Sequence, residues 1–331
     1  MEVYFPHYYR DFRCLAGACP DSCCKAWTVD VDPVAASRYR ALPGALGDRL
    51  RSVLKDEDGG TVMVIENGRC PMWQQDGLCQ IQAQLGHDAL CKTCREFPRL
   101  RHDYGSFAEL GLELSCPEAA RLILTAPVQP LCVQSAPGSV DADYDPDIMA
   151  VLRRSRHEVL AFLDTSAYTL PETLAVILLY SHSVQAELDG AAPEPFDPAA
   201  CLAESKGYAH RGDIEQLFSF FRELEILTDK WRTRLQTPST VQWTPQLKNL
   251  AWYMIQRYWL QAVSDCDLVC RVKFCVVACL LVGALQGDPI QTAQLFSKEI
   301  ENDPDNVTAI LDGAYCAPGL TDINLLGLLL P

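Results

Sequence analysis

A chain of 331 residues, 49% hydrophobic and 21% charged, has a globular composition and enough length to bury a sizeable core in one large domain or two ordinary ones. Its formal net charge of −15, with no clustered run of Lys and Arg, excludes a phosphate-tracking surface. No nucleic-acid partner is expected, and a basic, lysine-bearing surface is the kind of partner such a charge attracts. Met1 to His7 lacks a basic stretch followed by an apolar one. The longest apolar run, Phe274 to Leu285, follows Lys273 and is too short to cross a bilayer, so the expectation is a cytoplasmic protein with no membrane partner. In a reducing compartment, 16 cysteines point to metal binding or buried thiols rather than disulfides.

The fold expected is mainly α, with a loop-rich cysteine-cluster N-terminal region followed by a helical C-terminal region. Residues 1–125 form the cysteine-rich, metal- or cluster-binding part. The pairs Pro43-Gly44, Asn67-Gly68 and Asp76-Gly77, with Asp58-Gly59-Gly60, interrupt any long helix there. Thr61 to Ile65 is β-prone, and Asn67-Gly68 follows it as a turn signal. Residues 126–146, with Pro127, Pro130, Pro137 and Gly138, read as a linker or long surface loop. Residues 147–331 read as a helical domain. Helical spacing of apolar residues predicts helices over Asp147 to Leu163 and Pro171 to Leu188. Asp213 caps a predicted helix whose apolar stripe runs from Leu217 to Leu235 before Pro238 stops it. Thr244-Pro245 starts another, and two more cover about Leu268 to Leu285 and Ile290 to Ile300.

Nine of the cysteines lie between Cys14 and Cys116. The densest group is Cys14-x4-Cys19-x3-Cys23-Cys24, followed by Cys70, Cys79, Cys94 and Cys116. Four thiolates complete a tetrahedral zinc site or hold a four-iron cluster, and short spacings let one loop bring several sulfurs together at little entropic cost. The candidate ligands are Cys19, Cys23, Cys79 and Cys94 first, then Cys14, Cys24, Cys70 and Cys116. Spacing alone leaves zinc and iron–sulfur both open, and buried structural thiols are the plainer alternative. Cys91 stands outside this set and reads as a core thiol. His87 and His102 lie in the same region as possible ligands. Cys266, Cys270, Cys275 and Cys279 look like a fourfold set, but a helix advances about 100° per residue, so Cys275 faces away from Cys266. These read as core-filling thiols.

These motifs resemble the flagellin lysine-N-methylase family, FliB. The likeness rests on Phe12 to Trp27 (FRCLAGACPDSCCKAW), Gly77 to Gln82 (GLCQIQ), Thr93 to Arg99 (TCREFPR) and Leu114 to Leu122 (LSCPEAARL). More loosely, Tyr258 to Lys273 resembles the family's aromatic helix with its Val-Lys-Phe step, and Ser297 to Glu301 its late acidic helix. The resemblance implies transfer of a methyl group from S-adenosylmethionine to lysine ε-amines of flagellin. It also implies an iron–sulfur cluster, 4Fe-4S, held by the cysteines. Arg95 and Arg99, spaced by one helical turn, are candidates to clamp the donor's carboxylate. Glu113 and Glu118 are candidates to steer the substrate ammonium, with an ion pair to Arg121 the plainer reading of Glu118. The chain carries no glycine-rich nucleotide loop and no Cys-x3-Cys-x2-Cys run, so the donor is implied by the family likeness alone.

Overall fold

The computed structural model describes residues 1–25, 28–57, 59–138 and 142–330. The expectations for Ala26, Trp27, Asp58, positions 139–141 and Pro331 fall outside the described residues. The chain is mainly α, as its periodicity predicts. Two small sheets are set among fifteen α-helices in the described residues.

The first sheet has the order β5-β6-β1-β7, built from β1 (Glu2–Phe5), β5 (Arg99–Asp103), β6 (Phe107–Leu112) and β7 (Cys132–Ser135). β1 runs parallel to β6, while β7 and β5 close the two edges antiparallel. The second sheet, β2 (Val29–Val31), β4 (Gly60–Met63) and β3 (Leu54–Glu57), is antiparallel throughout. Just beyond β4, Asn67 and Gly68 both take positive φ, and Glu66 and Arg69 exchange backbone bonds of 2.8 and 3.0 Å, a tight reversal of the kind this dipeptide favours.

The helices of the N-terminal part are short: α1 (Pro33–Ala41), α2 (Gly44–Val53), α3 (Gln80–Leu85), α4 (Lys92–Glu96) and α5 (Pro117–Thr125). The helical body comprises α6 (Pro146–Thr165), α7 (Leu170–Leu188), α8 (Pro198–Ser205), α9 (Ile214–Arg222), α10 (Asp229–Leu235), α11 (Pro245–Tyr258), α12 (Val269–Ala284), α13 (Pro289–Phe296), α14 (Pro304–Gly313) and α15 (Asp322–Leu329). A π-helical turn, Ser297–Glu301, continues α13. α7 begins at a full capping box, in which Thr169 and Glu172 satisfy each other's backbone N–H groups. α12 is buried on every face, and Cys270, Cys275 and Cys279 fill core space along it.

Where the single helix expected from Asp213 to Leu235 would run, the chain makes two, α9 and α10. A buried carboxylate breaks the run: Glu299 accepts from the Leu227 N–H at 2.8 Å and from the Thr228 hydroxyl. Thr228 then caps α10 through the Trp231 N–H. At Thr244 the helix starts as expected, yet the threonine hydroxyl makes no capping bond. Three helices escape a periodicity search because they are short, but each carries a readable start: Asp197-Pro198, Asp303-Pro304 and Thr321-Asp322.

Two apolar cores result. The smaller gathers Val29, Val31, Tyr39, Leu50, Val53, Met63, Met72 and Ile81 with Cys70 and Cys91, and Cys24, Cys79 and Cys94 pack against it. The larger runs through the helical body and takes in Tyr8, Phe12 and the segment from Tyr104 to Leu124. α15 closes the larger core where Gly327 meets the backbone of Gly212; a Cβ on Gly327 would stand 2.2 Å from the Gly212 nitrogen. Gly327→Ala is expected to lower stability by about 1–3 kcal/mol through overpacking, measured as a shift of the urea midpoint.

Candidate functional site

The cysteine segments converge beside the smaller core. Cys23 donates to Cys24, and Cys24 to Cys70, so the Cys23 thiol is pushed far up, Cys24 reaches about 12 and Cys70 falls below its ordinary value. Cys94 donates in the same way to Cys91. That bond draws Cys91 down to about 7 and raises Cys94 strongly. Cys79 lies within charge range of Cys23, Cys24 and Cys91, and Cys94 within range of Cys23 and Cys24. Six thiols from separate chain segments therefore share one neighbourhood.

Cys14, Cys19 and Cys116 form an adjoining group. Burial raises Cys116 to about 12, and it senses Cys19 and Cys14; Cys19, also raised by burial, senses Cys14 and Cys23 and so joins the two groups. Among the described residues, no three His, Cys, Asp or Glu side chains close on one point as a single bound ion requires.

The short N-terminal helices explain how the sulfurs are presented. Cys79, Cys91 and Cys116 occupy the N-cap positions of α3, α4 and α5. Backbone N–H groups of the first turn lower each thiol's pKa, Cys94 for Cys91, Ile81 and Gln82 for Cys79, and Glu118 and Ala119 for Cys116, though burial outweighs them at Cys79 and Cys116. Such donors favour the thiolate that a metal requires. Two motif loops meet backbone to backbone, because a Cβ on Gly17 would lie 2.8 Å from the Asp76 carbonyl oxygen and one on Gly77 3.2 Å from the Gly17 Cα. Only glycines allow the loops bearing Cys19 and Cys79 to come this close.

Cys91, set aside on sequence grounds, belongs to the thiol neighbourhood; its signal was the Cys91-x2-Cys94 spacing across the start of α4. His87 is exposed and faces Asp88 at 3.8 Å, whereas His102 sits on β5 with its Nε2 buried and unpartnered. Glu118 forms its expected pair with Arg121, at 2.6 and 2.8 Å, and Glu113 accepts from Ser115 at 2.6 Å. The helical spacing expected of Arg95 and Arg99 is not realised. α4 ends at Glu96, Pro98 cannot continue it, and Arg99 opens β5 with its guanidinium 5.1 Å from the centre of the Phe12 ring.

The thiol loop is tied to the helical body through Asp21. Asp21 accepts from Lys298 Nζ at 3.0 Å and from Gln294 at 3.2 Å, and Gln294 also donates to the Ser115 carbonyl at 2.7 Å. Burial works against ionisation of Asp21, but the Lys298 ammonium outweighs it and holds the carboxyl below its ordinary range. Three residues on, the same π-helical turn presents Glu301, fully buried, to Arg257 at 3.2 Å and to the Tyr258 hydroxyl at 2.9 Å. Arg257 in turn bonds Tyr253. Thus the two C-terminal segments that carry the family likeness, Tyr258 and Ser297 to Glu301, touch each other, and the second reaches the thiol loop.

The chain is 30% identical over 176 residues to the flagellar biosynthetic protein FliU of Salmonella muenchen, an alignment that covers 48% of this chain and 89% of that protein. It is 31% identical over 140 residues to the lysine-N-methylases of Salmonella choleraesuis and Salmonella typhimurium, covering 38% of this chain and 33% of each of those proteins. No family model and no solved structure matches it. The thiol-bearing chain is thus similar to a flagellar biosynthetic protein and to lysine-N-methylases. It belongs to the FliB-like family, and it spans about a third of the length of the lysine-N-methylases it matches.

Asp21→Ala removes two charge-assisted contacts and is expected to cost about 2–3 kcal/mol, read by chemical denaturation at neutral pH. In the parent chain the Asp21 carboxyl is depressed on folding. Its contribution is therefore present above the unfolded carboxyl value of about 4 and is lost as pH falls through the lower folded value. The acid-side slope of stability between about pH 4 and pH 2 should be shallower in Asp21→Ala than in the parent.

Proposed function

We propose that this chain is a protein-lysine N-methyltransferase that moves a methyl group from S-adenosylmethionine to lysine ε-amines of flagellin in the cytoplasm, with an iron–sulfur cluster in its cysteine-rich part. The observation that carries this reading is the gathering of Cys23, Cys24, Cys79 and Cys94, from three separate family motifs, beside one small core. The donor set suits the group: sulfurs only, of which Cys70 and Cys91 are buried, Cys24, Cys79 and Cys94 half-buried and Cys23 exposed, with Cys79 and Cys91 at the starts of short helices. Four of Cys23, Cys24, Cys70, Cys79, Cys91 and Cys94 would hold a 4Fe-4S cluster, which takes four thiolate ligands. When bound, such a cluster would cross-link these segments and offer an electron-transfer centre.

In polar methyl transfer the lysine ammonium, with an ordinary pKa of about 10.4, first gives up a proton to solvent or a base. The free amine pair then forms the N–C bond as the S–C bond breaks. That bond's electrons stay on sulfur, leaving S-adenosylhomocysteine and a methylammonium. The chain's charge of −15 helps draw a lysine-bearing surface. The cysteine pattern and its thiol neighbourhood also fit a second reading, a cysteine-cluster module without transferase activity.

The test pairs composition with activity. Protein purified without oxygen should be brown and carry iron and sulfide; Cys79→Ser combined with Cys94→Ser should lose both, while Cys132→Ser should keep them. Incubation with flagellin and methyl-labelled S-adenosylmethionine should add methyl mass to lysines. Colourless, zinc-loaded protein would overturn the cluster assignment, and an unchanged flagellin mass with cluster-loaded protein would leave the module reading standing.

A further inference from the structure

Resting on the methyltransferase reading, we propose that the methyl donor binds away from the cysteine motifs, in the cleft between α6, α11 and the first sheet. This cleft has a volume of about 460 Å³, within the range of small-molecule sites. One face of α6 forms a wall, with Arg153, Arg156, His157, Leu160, Ala161 and Asp164 at successive turns. Trp252 and Gln256, one turn apart on α11, also line the cleft. β1 and β6 contribute Tyr4 and Glu109, and residues 128–131 also line the cleft.

The polar groups in this cleft divide into those already matched and those left over. Arg156 is committed to Glu109, with both carboxylate oxygens engaged, and to the Gln256 carbonyl at 3.0 Å. Asp164 faces Lys248 at 3.7 Å. Arg153 is different. Among the described residues it makes no ion pair, and its guanidinium lies 4.6 Å from the Phe107 ring centre and 5.7 Å from that of Tyr4, with one bond to the Tyr4 hydroxyl at 3.3 Å. It is an exposed cation laid against aromatic faces, without a carboxylate of its own, and open to an anion that enters the cleft. Gln256 gives its amide N–H to Glu109 at 3.0 Å, while its Oε1 is buried and unpartnered. A smaller hollow of about 40 Å³ shares Glu109, Trp252 and Gln256 with the cleft and adds His102 and Arg257, whose Nε2 and Nε also lack partners.

These leftovers describe a ligand. It offers a carboxylate to Arg153 and a planar or cationic part to Trp252, which can stack on a base and attract a sulfonium. S-Adenosylmethionine has both. A lysine side chain offers no anion and leaves Arg153 unmatched. Arg95 and Arg99, the sequence candidates, lie on separate elements outside this cleft.

The test is calorimetric titration of the full chain with S-adenosylmethionine and with S-adenosylhomocysteine, which read binding without turnover. The parent chain should bind both. Arg153→Ala should weaken binding about 10–100-fold, the loss of one charge-assisted contact, with partial recovery in Arg153→Lys. Ala161→Phe, which fills the cleft from α6, should also abolish binding while thermal unfolding remains cooperative. Binding by the parent chain with no change in Arg153→Ala or Ala161→Phe would overturn the cleft assignment and leave the methyltransferase reading intact. Loss in Arg95→Ala or Arg99→Ala alone would do the same and return the donor to the cysteine-rich part. Absence of binding by the cluster-loaded parent would overturn the cleft assignment together with the methyltransferase reading.

Discussion

The arrangement of the molecule depends on a buried ammonium. Lys298 is 4% exposed and meets Asp21, a carboxylate four residues from Lys25 in the thiol loop. A charge so placed is tolerated only where partners surround it, and the π-helical turn supplies the geometry. By widening the helix for five residues, it turns Lys298, Glu299 and Glu301 all inward. Each then meets a different element: the thiol loop, the break between α9 and α10, and the aromatic end of α11. π-Helical turns are rare and recur at functional sites, and this one joins the thiol neighbourhood to the wall of the proposed donor cleft.

The thiols and the cleft are held by different physics. Around the thiols the supports are a small apolar core, short helices that start at Cys79, Cys91 and Cys116, and a glycine contact between loops. Around the cleft they are two long helices and a sheet in the larger core. The cleft and the sulfur site are thus separate, and Gln294 and Lys298, on the helical body, reach the thiol loop at Asp21.

Much of this was legible in the residues. Helical spacing gave α6, α7, α11 and α12 within a residue or two, and the density of cysteines marked the segments that converge. What escaped notice lay in tertiary contacts. The α9–α10 break comes from Glu299, more than 70 positions away, which no local propensity reports. Cys91 looked like filler because it stands outside the motifs, although its position at the start of α4 aims it at Cys94. Arg95 and Arg99 have the spacing of a helical pair, but Pro98 between them ends that helix and Arg99 opens a strand. The cleft was invisible in the sequence because its walls come from β1, β6, α6 and α11, and its unmatched groups appear only once the matched ones are known.

The smaller core has a further consequence. Cys70 and Cys91 are structural members of it, and Cys70 lies 3.3 Å from the sulfur of Met63, itself buried. Sulfur chemistry and packing are therefore the same variable there. Oxygenation of any of these atoms would insert a polar, larger group where neighbours are Val, Leu and Met, and the surrounding layer would have to open to accommodate it. Exposure to air would thus register first as local loosening of this sheet and its short helices, while the large helical body, whose cohesion owes nothing to those sulfurs, stays closed.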